Sequence, residues 1–167
     1  MAHIDKILIG ESLVGEGPEV AHVEVMIGPR GSHVEHAWVS GLASQRAGHT
    51  NLMALITPNL PCRPYTLMVP KVTIKSGEQA TLLFGAVQTG VARAVADAVA
   101  EGTLPGEQAE DLYVIAGIFV QWDAKDKQKL QEWNYKATKE AIERAVAGYP
   151  SIREVLEKKD KVTHPLA

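Results

Sequence analysis

An α+β fold, a two-layer sandwich of a mixed β-sheet with helices on one face, is what this chain predicts from three observations. Two strand-like segments open it with no helix between them. Two long stretches of helical periodicity, 78–101 and 125–147, come late and flank the most apolar strand pattern, DLYVIAGIFVQW. Strands and helices therefore mix without the strict alternation of a βαβ protein.

Each element has its own justification. HIDKILIGESLVG carries the apolar run Ile7, Leu8 and Ile9 and stops at Gly10 or Gly15, which reads as a strand. EVAHVEVMIG sends Ala21, Val23, Val25 and Ile27 to one face and Val20, His22, Glu24 and Met26 to the other, ending at Gly28-Pro29. In residues 31–46, Val34, Trp38 and Leu42 recur every fourth residue, a short helix with Ser32 as its cap and Glu35 in the capping-box position. NLMALITP is a short strand before the rigid connector PNLPCRP, and TLMVPKVTIK is another, with Pro70 marking an edge or a bulge. Ala80, Leu83, Phe84, Val87, Val91, Ala94, Val95 and Ala98 set the stripe of one helix, interrupted by Gly85 and Gly90. Leu130, Trp133, Ala137, Ala141 and Ala145 set that of the last long helix, where Glu140 and Arg144 make an i,i+4 pair. Gly148 and Pro150 end it, and one more helical turn precedes the tail.

Composition narrows the function classes. The 167 residues read as one domain, 1–167, without repeat or linker. A net charge of −3 gives no basic field for nucleic acid or acidic lipid, and 5% aromatic residues are too few for base-stacking rows. No basic segment followed by an apolar run opens the chain and no stretch reads as a membrane span, so a cytoplasmic location is expected. Cys62 is the only cysteine, which excludes an internal disulfide and reads as a structural thiol. No phosphate-cradling glycine motif and no HExxH occur; His33 and His36, three apart, read as surface residues, and Asp123 and Asp126 as helix-start residues.

The polar strand faces carry the chemistry. His22 and Glu24 share the face of their strand opposite to its core side. In TLMVPKVTIK, Lys71, Thr73 and Lys75 share one face and Val72 and Ile74 the other. In one sheet, His22, Glu24, Lys71 and Thr73 would line a common patch; the alternative is a solvated face with an ordinary Glu–Lys pair. Gln88, between Gly85 and Gly90, could offer a donor and an acceptor to the edge of a flat heterocycle, or be a tolerated amide beside packing glycines.

The stretches GESLVGEGPEVAHVEVMIGPRG, AGHTNLMALITPNLPCRPYTLMVPKVTI, LLFGAVQTGVARAVADAVAEG, DLYVIAGIFVQW and YKATKEAIERAV resemble, in that order, the formaldehyde-activating enzyme family, from about Lys6 to the tail. The resemblance implies a fold like domain 2 of ribosomal protein S5, a homopentamer with the pterin held between subunits, and a lyase joining formaldehyde to tetrahydromethanopterin. Tetrahydromethanopterin is then both substrate and one-carbon carrier, and no metal is called for. His22 matches the family's general acid. Glu24, Met53, Lys71, Thr73 and Gln88 match its substrate-binding positions, with Glu24 standing for an aspartate and Met53 for a leucine. The longer Glu24 would move its carboxylate by up to ~1.5 Å, and a misplacement of about 1 Å can cost ~10²-fold in rate. Met53 nearly conserves volume. The departures leave a second implication open: a weakly active or non-catalytic paralogue that binds a reduced pterin or folate as carrier or sensor.

Overall fold

Alternation decides the first two strands of the structure, a computed structural model that describes residues 3–164. In β1 (Leu8–Val14), Gly10 and Ser12 turn inward, while Ile9 is 65% exposed and Glu11 also faces out. β2 (Ala21–Pro29) runs antiparallel to it and buries Ala21, Val23, Val25 and Ile27 completely, as the sequence predicts. Val20 is buried too, just before the strand begins.

β7 (Leu112–Phe119) lies at the centre of the five-stranded sheet, antiparallel to β2 and parallel to β6 (Tyr65–Pro70), which pairs at the edge with β3 (Leu52–Met53), in the order β1-β2-β7-β6-β3. The sheet is therefore mixed. Its inner face packs against α3 (Gln88–Ala100) and α4 (Lys127–Ala147), whose alanine-rich stripes allow close approach. Val91, Ala94, Val95 and Ala98 of α3 and Leu130, Ala137, Ala141 and Ala145 of α4 are all essentially buried. Asp126 caps α4 by accepting from the N–H groups of Gln128 and Lys129 at 3.0 and 3.1 Å. Gly148 closes it in the left-handed conformation, and α5 (Ile152–Lys158) follows.

α1 (His33–Ala43) lies on the opposite face. Val34 and Trp38 pack there on Leu67 and Ile115, and the Trp38 ring sits 5.7 Å from that of Tyr113. This cover lies over the end of the face where β2 finishes; at the end where β2 begins, the ring of His164 comes to 6.3 Å from that of His22. Leu42, expected inward, is 39% exposed.

Four local expectations change. Ser32 stands at the N-cap of α1, but its hydroxyl is lodged against Gly28, where an added Cβ would come within 2.6 Å, and it accepts no helix N–H. Glu35 accepts from the Gly31 N–H at 2.5 Å instead, which holds its carboxyl below the usual carboxylate range. The strand expected in NLMALITP breaks at Ala54, whose N–H donates to the Thr66 carbonyl and whose carbonyl accepts from Cys62. The result is β3 (Leu52–Met53) on the sheet edge and a separate hairpin of β4 (Leu55–Thr57) and β5 (Leu60–Pro61), turned by Asn59 at φ 69°. β6 ends at Pro70, so Lys71, Thr73 and Lys75 do not share a strand face. Pro70 itself lies past the last β3 pair, where its missing N–H costs no ladder bond. The stripe from 78 to 101 is three pieces, α2 (Gly77–Leu82), a π-helical turn at Leu83–Val87 containing Gly85, and α3.

Within the run Gly77–Ala100, contrary to the expectation that no stretch reads as a membrane span, lies an 18-residue window long and apolar enough for one, with a mean hydropathy of 1.3. Half of it is buried against the rest of the chain, the pattern of a core helix.

Cys62 is 1% exposed, with its Sγ 3.6 Å from the Ala92 carbonyl, and burial pushes the thiol up to about 12. The thiolate is then a trace at neutral pH, and the thiolate is the reactive form. The folded protein should resist a thiol-alkylating reagent at pH 8 for hours and take up one equivalent on denaturation. Labelling at the same rate in both states would contradict this burial.

Candidate active site

β2 delivers His22 and Glu24 to the outer face of the sheet because its other face is wholly committed to the core. Two residues apart, they are drawn to different neighbours. Register sets Glu11 of β1 directly opposite Glu24, and two like charges so placed repel. The two carboxylates separate. Glu11 Oε1 comes within 3.0 Å of His22 Nε2, and Arg144 of α4 donates to the Glu11 carbonyl at 2.7 Å. Glu24 pairs with Lys71 Nζ. The acidic group beside the imidazole is therefore Glu11 and not the sequence neighbour Glu24.

Lys71 reaches Glu24 although it lies beyond β6. Its N–H donates to the Ile118 carbonyl at 2.8 Å and continues the β6–β7 ladder by one residue. Its stem then lies across Gly117, where an added Cβ would stand 3.2 Å from Cδ and Cε. Gly117 pairs with Glu24 in the β2–β7 register, so the bare glycine leaves the lane by which lysine meets glutamate. The pair is about half exposed, so its Coulomb energy is screened and contributes ~0–1 kcal/mol to stability. A cleft of about 330 Å³ opens here, lined by Ile9, Glu11, Glu24, Met26, Lys71 and Gly117 among others, small for a ligand site but with apolar walls and converging charges. Two larger depressions, about 450 and 510 Å³, lie between α3 and α4 and beside the N-terminal segment, and neither contains a predicted site residue.

Thr73 sits in the loop after β6, near the end of the sheet at which β2 begins. His49 Nε2 lies 3.0 Å from its hydroxyl, and Trp122 Nε1 donates to its carbonyl at 3.0 Å. The loop leaves the sheet because Ile74 donates to the Gly48 carbonyl at 2.8 Å instead of pairing with a strand. Lys75 stacks its ammonium 3.9 Å above the Trp122 ring.

Met53 and Gln88 stand elsewhere. Met53 is on edge strand β3, opposite Leu67, and packs against the small cluster under α1. Gln88 opens α3 on the inner side of the sheet and accepts from the Leu55 N–H at 2.5 Å. From β2 to β3 is three strand spacings, ~14 Å. One chain thus brings His22, Glu24 and Lys71 to one face with Thr73 at its end, and leaves Met53 and Gln88 at the far edge.

Sequence reasoning missed two polar residues here. Glu11 had a signal in the alternation of Ile9 and Glu11 with the small residues Gly10 and Ser12 along β1, hidden by reading Ile7 to Ile9 as one apolar run. His49 had none, since its partner is 24 residues away across two loops. His33 and His36 are exposed, with ring centroids 6.3 Å apart, and among the described residues no cluster of three or more His, Cys, Asp or Glu could hold a metal ion.

Comparison with known proteins adds an independent line. Residues 9–167 match the family model described as formaldehyde-activating enzyme (Fae). A "5,6,7,8-tetrahydromethanopterin hydro-lyase" of Methanosarcina barkeri is 53% identical over 165 residues, covering 99% of this chain and 93% of the relative. A "Bifunctional enzyme Fae/Hps" of Methanosarcina acetivorans is 50% identical over 158 residues, and one of Archaeoglobus fulgidus 48% over 157. This chain spans about 40% of the length of each of those two.

Proposed function

Because this chain belongs to the formaldehyde-activating enzyme family, we propose that it condenses formaldehyde with tetrahydromethanopterin to give 5,10-methylene-tetrahydromethanopterin and water, with His22 as the general acid. The observation that supports the residue assignment is the part-exposed His22 ring on the outer face of the sheet, with Glu11 at 3.0 Å and the Glu24–Lys71 pair on the same face.

The chemistry needs one proton delivered and one recovered. A secondary amine of the pterin adds to formaldehyde and forms a carbinolamine. Loss of its hydroxyl requires protonation, because hydroxide is a poor leaving group and water a good one. An imidazolium at His22 donates that proton, water departs, and a cationic iminium remains. The second amine attacks the iminium carbon, the ring closes, and the proton it sheds returns to His22. An imidazole suits both halves because it changes protonation near neutral pH. The carboxylate of Glu11 stabilises the imidazolium, and Glu24 lies where a cation developing over the sheet face would be attracted. Orienting the reacting amine against formaldehyde supplies further acceleration. The carbon keeps its oxidation level throughout, so the protein's task is positioning and proton transfer.

The pterin is read as lying between two copies of the chain, in a homopentamer. The ~14 Å separating His22 from the β3 edge supports this, since one reduced pterin meets both groups more readily when they come from different subunits. Exposed apolar side chains flank both halves, Ile9 and Met26 beside the cleft and Ile56 and Leu60 on the hairpin. The enzyme name of the relative favours turnover over a carrier or sensor role.

A stopped-flow assay tests the reading. With formaldehyde and tetrahydromethanopterin, the protein should accelerate methylene-pterin formation well above the spontaneous rate. Tetrahydrofolate, run in parallel, should gain far less. A rate no faster than the buffer reaction would refute the proposal.

A further inference from the structure

The tautomer of His49 decides what Thr73 can recognise. Nδ1 of His49 faces the Pro70 carbonyl at 3.4 Å, and Nε2 faces Thr73 Oγ1 at 3.0 Å. A carbonyl only accepts, so in the neutral ring the proton sits on Nδ1 and Nε2 presents a lone pair. The Thr73 hydroxyl must then donate to Nε2. Having spent its one proton there, it can only accept on its remaining side.

The surrounding contacts hold this arrangement in place. The Gly48 backbone at φ +74° leaves no room for a side chain, since an added Cβ would come within 2.7 Å of Thr73 Cγ2. Ile74 donates to the Gly48 carbonyl at 2.8 Å and Trp122 Nε1 donates to the Thr73 carbonyl at 3.0 Å. Thr73 is thus fastened to three separate segments, residues 48–49, Pro70 through His49, and Trp122, which is more scaffolding than a lone surface hydroxyl receives. Pre-organisation of this kind reduces the entropic cost of binding.

We infer that His49 is a positioning residue that fixes the Thr73 hydroxyl as an acceptor for an N–H of the reduced pterin. The inference deepens the functional reading above and rests on it, with Thr73 taken as a pterin-binding position because it matches one in the family. Neither residue delivers a proton to the departing hydroxyl or takes one from the attacking amine, so the effect belongs to substrate affinity and to the choice between heterocycles that present a donor or an acceptor at that edge.

Two measurements test it. The first uses nitrogen-15 histidine-labelled protein without pterin, where the His49 resonances should report the proton on Nδ1. A proton on Nε2 overturns the inference, whatever the activity of the enzyme. The second is a double-mutant cycle in the formaldehyde and tetrahydromethanopterin assay. Thr73→Val should raise KM for the pterin about tenfold, the size of one net hydrogen bond, with kcat nearly unchanged. His49→Phe should raise it several-fold, and the double variant should be no worse than Thr73→Val alone, because His49 acts only through the hydroxyl. Thr73→Ser, which keeps the hydroxyl, should lose far less affinity than Thr73→Val. Additive losses, or a fall in kcat instead of a rise in KM, would overturn the inference. A wild-type protein without turnover would refute the functional reading and leave the tautomer result to stand alone.

Discussion

Replacing His22 by alanine is expected to slow methylene-tetrahydromethanopterin formation by roughly 10²–10⁴-fold, the usual worth of a positioned general acid. The loss should fall on kcat, because the proton is needed to expel water and not to hold the pterin. Stability should change little. The His22 side chain is 29% exposed and its Glu11 partner 51%, so their interaction is screened by solvent and contributes ~1 kcal/mol at most. Circular dichroism and a melting curve separate the outcomes: a folded, pterin-binding, slow enzyme is expected. A His22→Ala protein with wild-type kcat would remove the imidazole from the mechanism. The same variant also probes whether a site is shared between subunits. Mixed by unfolding and refolding with an inactive Gln88→Ala chain, it should recover part of the activity, because some interfaces then pair a native His22 with a native Gln88. Inactive mixtures would place both residues in one chain's site and count against the shared arrangement.

Much of this was legible in the sequence for a simple reason. A strand of period two whose odd residues are Ala21, Val23, Val25 and Ile27 has only one way to lie on a core, so the facing of His22 and Glu24 followed at once. The central position of β7 followed from its apolar run in the same way. What stayed hidden depended on register and loop paths, which hydrophobic pattern does not encode. Which carboxylate meets His22 is settled by the β1–β2 pairing that sets Glu11 opposite Glu24. The end of β6 is settled by Gly48 drawing Ile74 out of line, a hydrogen bond between residues 26 apart in sequence. The split between His22 and the Met53–Gln88 edge is a matter of strand order, and strand order is a property of the whole sheet.

That dependence of site on sheet leads to the largest stability effect expected, at Gly10. β1 and α4 approach so closely there that a Cβ on residue 10 would stand 2.0 Å from the Ala141 carbonyl oxygen and 2.7 Å from the Ala145 amide nitrogen. Both are helix backbone and cannot rotate aside, so Gly10→Ala forces the strand and helix apart. Overpacking ordinarily costs about 1–3 kcal/mol, and a clash against backbone belongs at or above the upper end, which lowers the melting temperature by roughly 10 °C for a chain of this size. Gly77→Ala supplies the control, since nothing lies within 4 Å of its Cβ and its φ is ordinary; that variant should melt within a few degrees of wild type. The consequence reaches the site by a short path. Arg144, three residues past Ala141 on the same helix, donates to the carbonyl of Glu11, the residue next to Gly10 and the one whose carboxylate meets His22. Moving α4 away from β1 pulls on that bond, so Gly10→Ala should lose activity at temperatures where it is still folded. Full activity below its lowered melting point would show that Glu11 holds His22 without help from the helix behind it.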